Sequence, residues 1–244
     1  MKYCKPNLPH GKVKQILVSS ILSDEILQEL VLLGIEPIKL GKAPRIISEL
    51  AYHPDILTLN YAPGKWLEKN NCSYSPANVN IMLTEVKYHL GNKYPADCIF
   101  NSFVIGKNLY CGVVNSGLYE NVNELNTFTE IQFKQGYAKC SIIVLNDHSF
   151  ITSDKSIEKK LLELQYDCLL VSNECIKLNG YNNGFIGGCA GKISEDLLAF
   201  TGNIKAHVNY NNIKDFCKNH NIEIVSLSNE LFYDYGGLLP ISEY

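Results

Sequence analysis

The stretch GYAKCSIIVLNDHSFITSD, Gly136–Asp154, sets the interpretation of the whole chain. Its apolar run, Ser141–Leu145, predicts a buried strand. The Asn146-Asp147 pair that follows predicts a tight turn, and the apolar residues after the turn predict a returning strand. Asp154 is a suitable N-cap for a helix. The stretch therefore predicts a hairpin followed by a helix, with Cys140 where the hairpin begins.

The same order of elements recurs along the chain. Strands that precede a turn are predicted at 53–60, 96–101, 139–144, 185–189 and 233–239. They are spaced roughly 42 to 48 residues apart, a period typical of propeller blades. Helices are predicted after three of the turns, at 24–33, 155–165 and 209–219, with a weaker one near 116–125. Each helix is followed by a short strand. The repeating unit is thus strand, turn, strand, helix, strand.

The two ends of the chain complete each other in this pattern. The fifth inner strand, near the C-terminus, has no returning strand after it, and Lys14–Ser20 supplies the missing piece. Closing the ring in this way removes exposed sheet edges. We predict a single α/β domain, residues 1–244, built as a five-bladed propeller closed by the N- and C-terminal segments. A layered α/β domain with one parallel sheet is the alternative.

One region departs from the repeat. Residues 65–92 are rich in Asn, Ser and Tyr and predict a lengthened loop over one face, acting as a lid. Trp66 and Tyr74 fall inside it, with Tyr61 just before it. Their rings would either shape the roof of a pocket or simply pack beneath the loop.

Composition excludes several classes of function. The net charge is -3 with no long run of one sign, which argues against a surface for nucleic acid or anionic membrane. No apolar stretch reaches the ~18 residues that span a bilayer, and residues 1–12 lack the apolar run of a signal peptide. A cytoplasmic protein is expected. The oligomeric state has no signature in the sequence.

The nine cysteines indicate free thiols in a reducing compartment. Their number is odd, and no two are spaced Cys-x-x-Cys, so a zinc site or a thioredoxin-like motif is disfavoured. We therefore expect no metal and no cofactor. Most of the thiols should be buried as small apolar groups, leaving one or two for chemistry.

A five-fold ring with Asp, His, Cys and Gly at its inner strand ends resembles the pentein, or guanidino-group-modifying enzyme, superfamily. Arginine and agmatine deiminases, dimethylarginine hydrolase, amidinotransferases and a non-catalytic ribosome anti-association factor belong to it. The resemblance covers nearly the whole chain as architecture. His53-Pro54-Asp55 is similar to the His-x-Asp of these enzymes, and Gly236-Gly237 to the glycines before their catalytic cysteine.

The resemblance implies a defined chemistry. A cysteine thiolate attacks the guanidinium carbon, a histidine moves protons, and carboxylates hold the planar cation. This sequence departs from the pattern after Gly236-Gly237, where Leu238 stands in place of the cysteine, and no cysteine lies beyond Cys217. His-x-Asp also falls on the first inner strand instead of a middle one. Either another cysteine has taken over or the guanidino chemistry is absent.

Two cysteines are candidates for the nucleophile. Cys140 lies beside Lys139, whose ammonium would favour the thiolate. Cys189 lies in the glycine-rich Gly187-Gly188-Cys189-Ala190-Gly191, where Gly187 and Gly188 would let the backbone approach a substrate closely or merely permit a bend. The alternative for either thiol is a buried structural role. We expect Cys140 to be the nucleophile.

The remaining candidates are a histidine and three carboxylates. His53 and Asp55 would share one face of a strand, which suits a general acid or base beside a carboxylate. Asp97 and Asp234 stand at other inner strand ends. Each carboxylate would hold a guanidinium or bond to turn amides, and His53 would otherwise be an ordinary loop residue.

These residues favour one function over another. The first hypothesis is a cysteine-dependent hydrolase or transferase acting on a small guanidino or amidino compound in the central channel. Cys140, His53 and Asp55 would be catalytic, and Asp97, Gly187, Gly188 and Asp234 would bind the substrate. The second is a non-catalytic module on the same scaffold, binding a small molecule or a protein.

Overall fold

The computed structural model describes residues 2–43, 46–69, 79, 81–86, 91–115 and 125–244. In chain order the strands are β1 (Lys2–Tyr3), β2 (Val13–Ser19), β3 (Glu36–Leu40), β4 (Thr58–Ala62), β5 (Lys65–Lys69), β6 (Met82–Val86), β7 (Phe103–Ile105), β8 (Asn108–Gly112), β9 (Thr129–Phe133), β10 (Ile142–Val144), β11 (Ser149–Thr152), β12 (Asp167–Leu170), β13 (Ala190–Ser194), β14 (Leu197–Phe200), β15 (Glu223–Ser226) and β16 (Leu239–Glu243). The α-helices are α1 (Asp24–Leu32), α2 (Pro54–Leu57), α3 (Lys155–Glu163) and α4 (Tyr210–Asn219), and 3-10 turns span Val113–Asn115, Ile186–Cys189 and Ile204–Ala206. Within these ranges, none of the helices has the length and apolar character needed to cross a bilayer.

The strands form five small sheets that share one pattern. In each sheet an inner strand pairs antiparallel with a middle strand, which pairs parallel with an outer one. The parallel step needs a crossover connection, which α1, α3 and α4 provide in their blades. The protein is therefore the five-bladed α/β propeller that the repeat predicts. The layered alternative with one parallel sheet is wrong.

The C-terminal strand closes the ring. β16 lies between β1 and β2 and runs antiparallel to both, with Leu239 opposite Leu17. β2 then pairs parallel with β3, so the first residues of the chain complete the blade that the last residues begin. The predicted closure by the terminal segments is confirmed. β16 is thus covered by β2 on one edge and, from Ile241 onward, by the first residues of the chain on the other, which protects it from intermolecular pairing.

The opening stretch folds as predicted. β10 and β11 form the hairpin around Asn146-Asp147, with Ile143 opposite Ile151. Asp154 caps α3 by accepting from the backbone N–H of Ser156 at 2.8 Å and of Ile157 at 3.0 Å. The cap satisfies two amide groups that have no partner within the helix.

The inner strands begin later than predicted. His53 precedes the one-turn helix α2, and the strand of that blade starts only at Thr58. Pro54 occupies the first helical position, where its fixed φ suits a helix and its missing N–H is no loss. The other inner ends are turns or a 3-10 turn, since their amides bond across blades instead of within a ladder. The prediction that His53 and Asp55 share a strand face is therefore wrong.

The region 65–92 is partly regular. Its ends form β5 and β6, which complete a blade with β4, so the prediction of a loop throughout is wrong there. The predicted lid, Tyr74 and most of the weak helix at 116–125 lie outside the described residues. Trp66 belongs to β5 and is fully buried in the largest core cluster, together with Leu17, Phe100 and Cys140. Its indole packs the core and also lines the small cavity of about 20 Å³ beside Asp55 and Lys139.

Candidate active site

The five inner ends are joined by a closed circuit of hydrogen bonds. Nδ2 of Asn101 donates to the carbonyl of Asp55 at 3.1 Å, and Oδ1 of Asn101 accepts from the N–H of Cys140 at 3.0 Å. One side chain thus links three blades. Asn101 is fully buried, and its amide group offers both the donor and the acceptor that this position needs.

Glycine backbones complete the circuit. The N–H of Gly188 donates to the carbonyl of Cys140 at 3.2 Å, and the N–H of Gly237 donates to the carbonyl of Gly188 at 2.9 Å. The N–H of Asp55 donates to the carbonyl of Gly236 at 3.3 Å, which returns to the first blade of the circuit. Because each blade holds the next, the side chains at this centre have fixed relative positions.

Cys140, His53 and Asp55 meet at the centre of the ring. Their Sγ, ring nitrogen and carboxylate oxygen lie within 4.8 Å of one another, and all three residues are buried. This separation is within reach of proton transfer through one water molecule. The ring nitrogens of His53 and the carboxylate oxygens of Asp55 make no hydrogen bond of ordinary geometry. Their neighbours are the thiol of Cys140, which interacts with Asp55, and the carboxylate of Asp234, 3.7 Å from Nδ1 of His53. Buried polar atoms without partners are rare, and they indicate a ligand-binding role for this cluster.

The environment of Cys140 holds the thiol protonated. Burial raises the pKa of Cys140 well above its ordinary value, and the carboxylates of Asp55 and Asp234 raise it further. Asn101 opposes this shift through its Nδ2, which lies 2.9 Å from Sγ. A positive charge arriving near Sγ would act against the two carboxylates and favour the thiolate.

Asp234 supports His53 from the neighbouring blade. Its Oδ1 lies 3.7 Å from Nδ1 of His53 and accepts from the N–H of Gly236 at 3.1 Å, while Oδ2 accepts from the N–H of Phe185 at 2.9 Å. Burial raises the pKa of Asp234, and His53 opposes the rise. The carboxylate is therefore fixed by backbone donors in a position to orient the imidazole.

The two candidate glycines pack against protein atoms. A methyl group on Gly188 would overlap the carboxylate of Asp234, and one on Gly187 would collide with the carbonyls of Ile142 and Lys139. Gly187 and Gly188 thus allow the inner ends of neighbouring blades to approach each other closely. A contact of Gly187 or Gly188 with substrate stays a prediction.

Lys139 adds one buried cation to the centre. Burial lowers the pKa of Lys139, and Asp55, Cys140 and Asp234 oppose that shift in this order. The residue is 6% exposed, and it lines two small cavities of about 20 and 10 Å³ beside the cluster. Spaces of this size hold about one water molecule each. Among the described residues, side chains thus pack the centre around spaces of this size.

Asp97 lies outside the cluster. Its Oδ2 accepts from the hydroxyl of Tyr137 at 2.8 Å, while its Oδ1 is buried without a partner. The ring of Tyr137 lies between those of Tyr94 and Phe185, at centroid distances of 5.9 and 6.1 Å. Asp97 thus belongs to an aromatic group centred on Tyr137, which lies three residues before Cys140 in the chain. The role of Asp97 in binding substrate stays a prediction.

Cys189 is placed as a structural thiol. Its Sγ donates to the carbonyls of Phe185 and Tyr233, each at 3.4 Å, and it packs in a second core cluster. Burial, followed by Asp234, raises its pKa well above the ordinary value. Of the two candidate nucleophiles, Cys140 alone lies in the cluster with His53 and Asp55.

A much larger cavity lies elsewhere. It has a volume of about 1350 Å³ and is lined by the hairpin turns of several blades, including Lys107, Asp147, Glu195 and the buried Lys192. The inner ends lie at the opposite ends of those hairpins' strands, so the cavity and the cluster occupy different faces. None of the predicted site residues lines it.

Sequence reasoning missed Asn101 and Tyr137. Both stand at inner ends, but asparagine and tyrosine are common in turns and carry no catalytic signature of their own. The available signal was position: Asn101 ends the inner segment of its blade, as Cys140 begins that of the next.

Solved structures with this architecture identify the class of fold. An amidinotransferase of the saxitoxin biosynthetic pathway from Microseira wollei matches with a TM-score of 0.57, 8% identity, and 91% of each chain covered. An inosamine-phosphate amidinotransferase from Streptomyces griseus matches with a TM-score of 0.55, 9% identity, and 98% of this chain and 96% of that chain covered. The agmatine deiminase of C. jejuni gives 0.55 and 10%, over 93% of this chain and 90% of the other. The protein has the pentein-like fold that its repeat and inner ends predict.

The chain's own family is narrower. Residues 17–239 match the model of the Family of unknown function (DUF6873), and the chain belongs to that family. No curated protein sequence matches the chain. At identities near 10%, the solved structures establish the fold and leave the chemistry to be argued from the site.

Proposed function

We propose that the protein is a cysteine-dependent hydrolase or transferase that acts on a small guanidino or amidino compound at the cluster of Cys140, His53 and Asp55. The observation that carries the proposal is a buried thiol, imidazole and carboxylate whose side-chain atoms lie within 4.8 Å of one another, with the polar atoms of His53 and Asp55 lacking hydrogen bonds of ordinary geometry. Buried carboxylates without partners are strongly destabilised, and a planar cation with several N–H donors would satisfy them.

The bound cation would also activate the nucleophile. Asp55 and Asp234 raise the pKa of Cys140 after burial itself, so a guanidinium between them and Sγ lowers the free energy of the thiolate. Without substrate the thiol stays protonated and unreactive. Since the cavities at the centre hold about one water each, the surrounding side chains must move apart to admit the ligand.

The reaction then follows from the atoms present. The thiol of Cys140 passes its proton to His53, and the thiolate attacks the central carbon. His53 gives that proton to the departing amine, which leaves an amidino group on sulfur. His53 next takes a proton from water in a hydrolase, or from an acceptor amine in a transferase. Attack by that nucleophile breaks the carbon–sulfur bond, and His53 returns its proton to the sulfur. Asp234 keeps the imidazole oriented throughout.

The proposed nucleophile, Cys140, does not stand where the resemblance implies the catalytic cysteine, and the packing around that other position is compatible with the change. Leu238 follows the Gly236-Gly237 pair where the resemblance implies a cysteine, and it packs in the core. Gly236 has a φ of +80° and its backbone lies against His53. Gly236 therefore serves the packing of His53, and Gly237 packs against the carbonyls of Gly187 and Ala190. Cys140 reaches the same centre from another blade.

An amidinium electrophile tests the proposal. Chloroacetamidine carries the cation that the carboxylates would bind, whereas chloroacetamide is a neutral reagent of nearly the same shape. We expect Cys140 to react with the cation about 100-fold faster than with the amide, since a nearby opposite charge shifts a pKa by ~1–3 units. Peptide mass spectrometry measures the rate at each cysteine.

Half-buried Cys175 is the internal reference for the intrinsic reactivity of the two reagents. The assignment of Cys140 as the nucleophile would be rejected if the two reagents labelled it at equal rates after normalisation to Cys175. Labelling of Cys189 instead of Cys140 would reject it too. A screen of guanidino compounds by mass spectrometry, with Cys140→Ser as the inactive control, then identifies the substrate and distinguishes hydrolysis from transfer.

The free state of the described cysteines suits the cytoplasmic location, which stays a prediction.

Asn101→Leu should slow the labelling of Cys140 by chloroacetamidine about tenfold. The amide of Asn101 donates to Sγ, and a hydrogen bond to a charged acceptor contributes ~1.5–3 kcal/mol. Asn115→Leu is the matched control, because Asn115 is an equally buried amide whose Nδ2 donates to the carbonyl of Cys98. A loss of rate that is the same in both variants would contradict a specific role for Asn101.

A non-catalytic binding module is the second candidate. It is favoured by Lys139, whose buried amino group already lies near Asp55 and Asp234 and, when protonated, takes the place of a bound cation. In that case Cys140 shows no preference for chloroacetamidine, and guanidino compounds raise the melting temperature without being consumed. Thermal shift and product analysis on the same samples separate the two functions.

A further inference from the structure

We propose that the large cavity on the hairpin-turn face of the ring binds a small organic anion, with Lys192 as the partner of its carboxylate or phosphate group. The cavity has a volume of about 1350 Å³, and pockets for small molecules commonly measure ~300–1,000 Å³, so an organic ligand fits it. It lies on the opposite face from Cys140. The inference goes beyond the proposed function and does not depend on it.

Several blades build this cavity together. The turns that join β7 to β8, β10 to β11 and β13 to β14 line it, at Gly106-Lys107, Asn146-Asp147 and Glu195-Asp196. Residues 8–12, which precede β2, line it as well. Because each turn is fixed by the sheet of its own blade, the cavity is a feature of the whole ring and not of one loop.

Lys192 brings a buried ammonium group to the wall of the cavity. It lies in β13 and is 4% exposed. Its Nζ donates to the carbonyl of Leu145 at 2.8 Å and to the carbonyl of Glu195, and both of those residues also line the cavity. The two carbonyls hold the ammonium in place but are neutral, so they leave its charge unbalanced. An ammonium has three N–H donors, and the third is left for a ligand.

A bound anion would stabilise this ammonium. Burial lowers the pKa of Lys192 to about 8, and Glu195, Asp196 and Cys217 oppose the shift in this order. A carboxylate or phosphate beside Nζ would act against the effect of burial, since a nearby opposite charge favours the charged form. Lys192 is therefore the position at which the head group of the ligand binds.

The exposed charges around the cavity are mixed, and their pairing also favours an anion. Three lysines and three carboxylates line it at exposed positions: Lys5, Lys12, Lys107, Asp147, Glu195 and Asp196. Glu195 lies 3.7 Å from Nδ1 of His10, and Asp196 accepts from the hydroxyl of Ser194 at 2.6 Å, so two of the carboxylates have partners. Among the described residues, neither these lysines nor Lys192 form an ion pair. A ligand would therefore meet cations that no carboxylate neutralises.

Much of the remaining wall is apolar, so an inorganic ion would leave it uncovered. Ile35, Ile105, Ile193 and Ile222 line the cavity, together with the ring of Tyr166. Removing apolar surface from water contributes roughly 25 cal/mol per Å². The ligand is therefore an anion with an apolar body.

Two fluorescent dyes test the site on the full chain. Anilinonaphthalene sulfonate is an apolar anion, and phenylnaphthylamine has the same ring system without the charge. We expect one sulfonate dye per chain, bound about tenfold more tightly than the neutral dye, because one ion pair beside Lys192 distinguishes them. Equal affinity for the two dyes would overturn the proposal.

Variants locate the binding. Lys192→Met keeps a side chain of similar size and should weaken binding of the sulfonate dye about tenfold while leaving the neutral dye unchanged. If Lys192→Met lost both dyes, its packing would be damaged, and Lys12→Gln would decide. Lys12 is exposed at the cavity, and its removal should weaken binding of the sulfonate dye about threefold, as an exposed ion pair does. An affinity equal to that of Lys214→Gln, an exposed lysine of α4 outside the cavity, would contradict the site.

Competition then identifies the head group and separates the two faces. Octanoate and octyl phosphate should displace the sulfonate dye, and the one that displaces it at lower concentration names the preferred anion, whereas octanol should displace it at least tenfold more weakly, roughly. Displacement by octanol at the same concentration would reject an anion site. Cys140→Ser should bind both dyes as the wild type does. A loss of dye binding in that variant would place the dye at the inner ends of the ring and reject this cavity, while chloroacetamidine labelling judges the proposed function separately.

Discussion

Gly188→Ala is expected to destabilise the protein by about 3–5 kcal/mol, the range of the most damaging core substitutions. The added methyl group would overlap the carboxylate of Asp234, which is held by the N–H groups of Phe185 and Gly236. Moving that carboxylate leaves buried donors unpaired and takes the support from His53. The free energy of unfolding in urea measures the loss.

The matched control is Gly11→Ala. A methyl group on Gly11 would meet its nearest neighbour, the carbonyl oxygen of Tyr244, at 3.5 Å, an ordinary van der Waals contact. We expect this variant to stay within about 1 kcal/mol of the wild type, as most surface substitutions do. If Gly188→Ala were equally mild, the inner ends would have to be less tightly packed than the circuit of hydrogen bonds implies.

Elements with a local cause were predictable from the sequence. The hairpin of β10 and β11 follows from an apolar run, a turn pair and a second apolar run, which need no distant partner to be recognised. The caps Ser23 and Asp154 follow from the preference of short polar side chains for unpaired amides. Closure of the ring was predictable by counting strands, since one inner strand lacked its partner.

The inner ends were less predictable because their bonding is not local. Lys139-Cys140 and Asp55 read as the starts of strands, yet their amides bond to Asn101 and Gly236 of neighbouring blades. No pattern within one segment reports such partners. The positions of Cys140 and His53 at one centre could therefore be inferred from the ring. The role of Asn101, which joins Cys140 to the carbonyl of Asp55, could not.

The ring closure leads to the second large effect. Glu243→Ala is expected to lower the free energy of unfolding by about 3 kcal/mol, because a hydrogen bond to a charged group contributes ~1.5–3 kcal/mol. The buried carboxylate accepts from the N–H of His10 at 2.7 Å and of Gly11 at 2.8 Å, and it lies 2.5 Å from Nζ of Lys2. These contacts fix the final strand against the first residues of the chain.

The pH dependence of this effect has a definite sign. Burial raises the pKa of Glu243, but the hydrogen bonds from Gly11, Lys2 and His10 outweigh it and leave the pKa below its ordinary value. A carboxylate with a lowered folded-state pKa stabilises the protein at neutral pH and loses that contribution as the pH falls through the folded-state value. The stability difference between wild type and Glu243→Ala should thus shrink in acid.

Glu223→Ala provides the comparison for both measurements. Glu223 also lies in a blade strand, but it is exposed at the start of β15, so its removal should change the stability by less than about 0.5 kcal/mol at any pH. The test is the free energy of unfolding in urea of the wild type, Glu243→Ala and Glu223→Ala, measured between neutral and acidic pH. A difference between Glu243→Ala and wild type that stayed constant into acid would mean that the carboxylate is not what holds the closing strand. Destabilisation equal to that of Glu223→Ala would mean that the paired backbones of β16 and β2 close the ring without it.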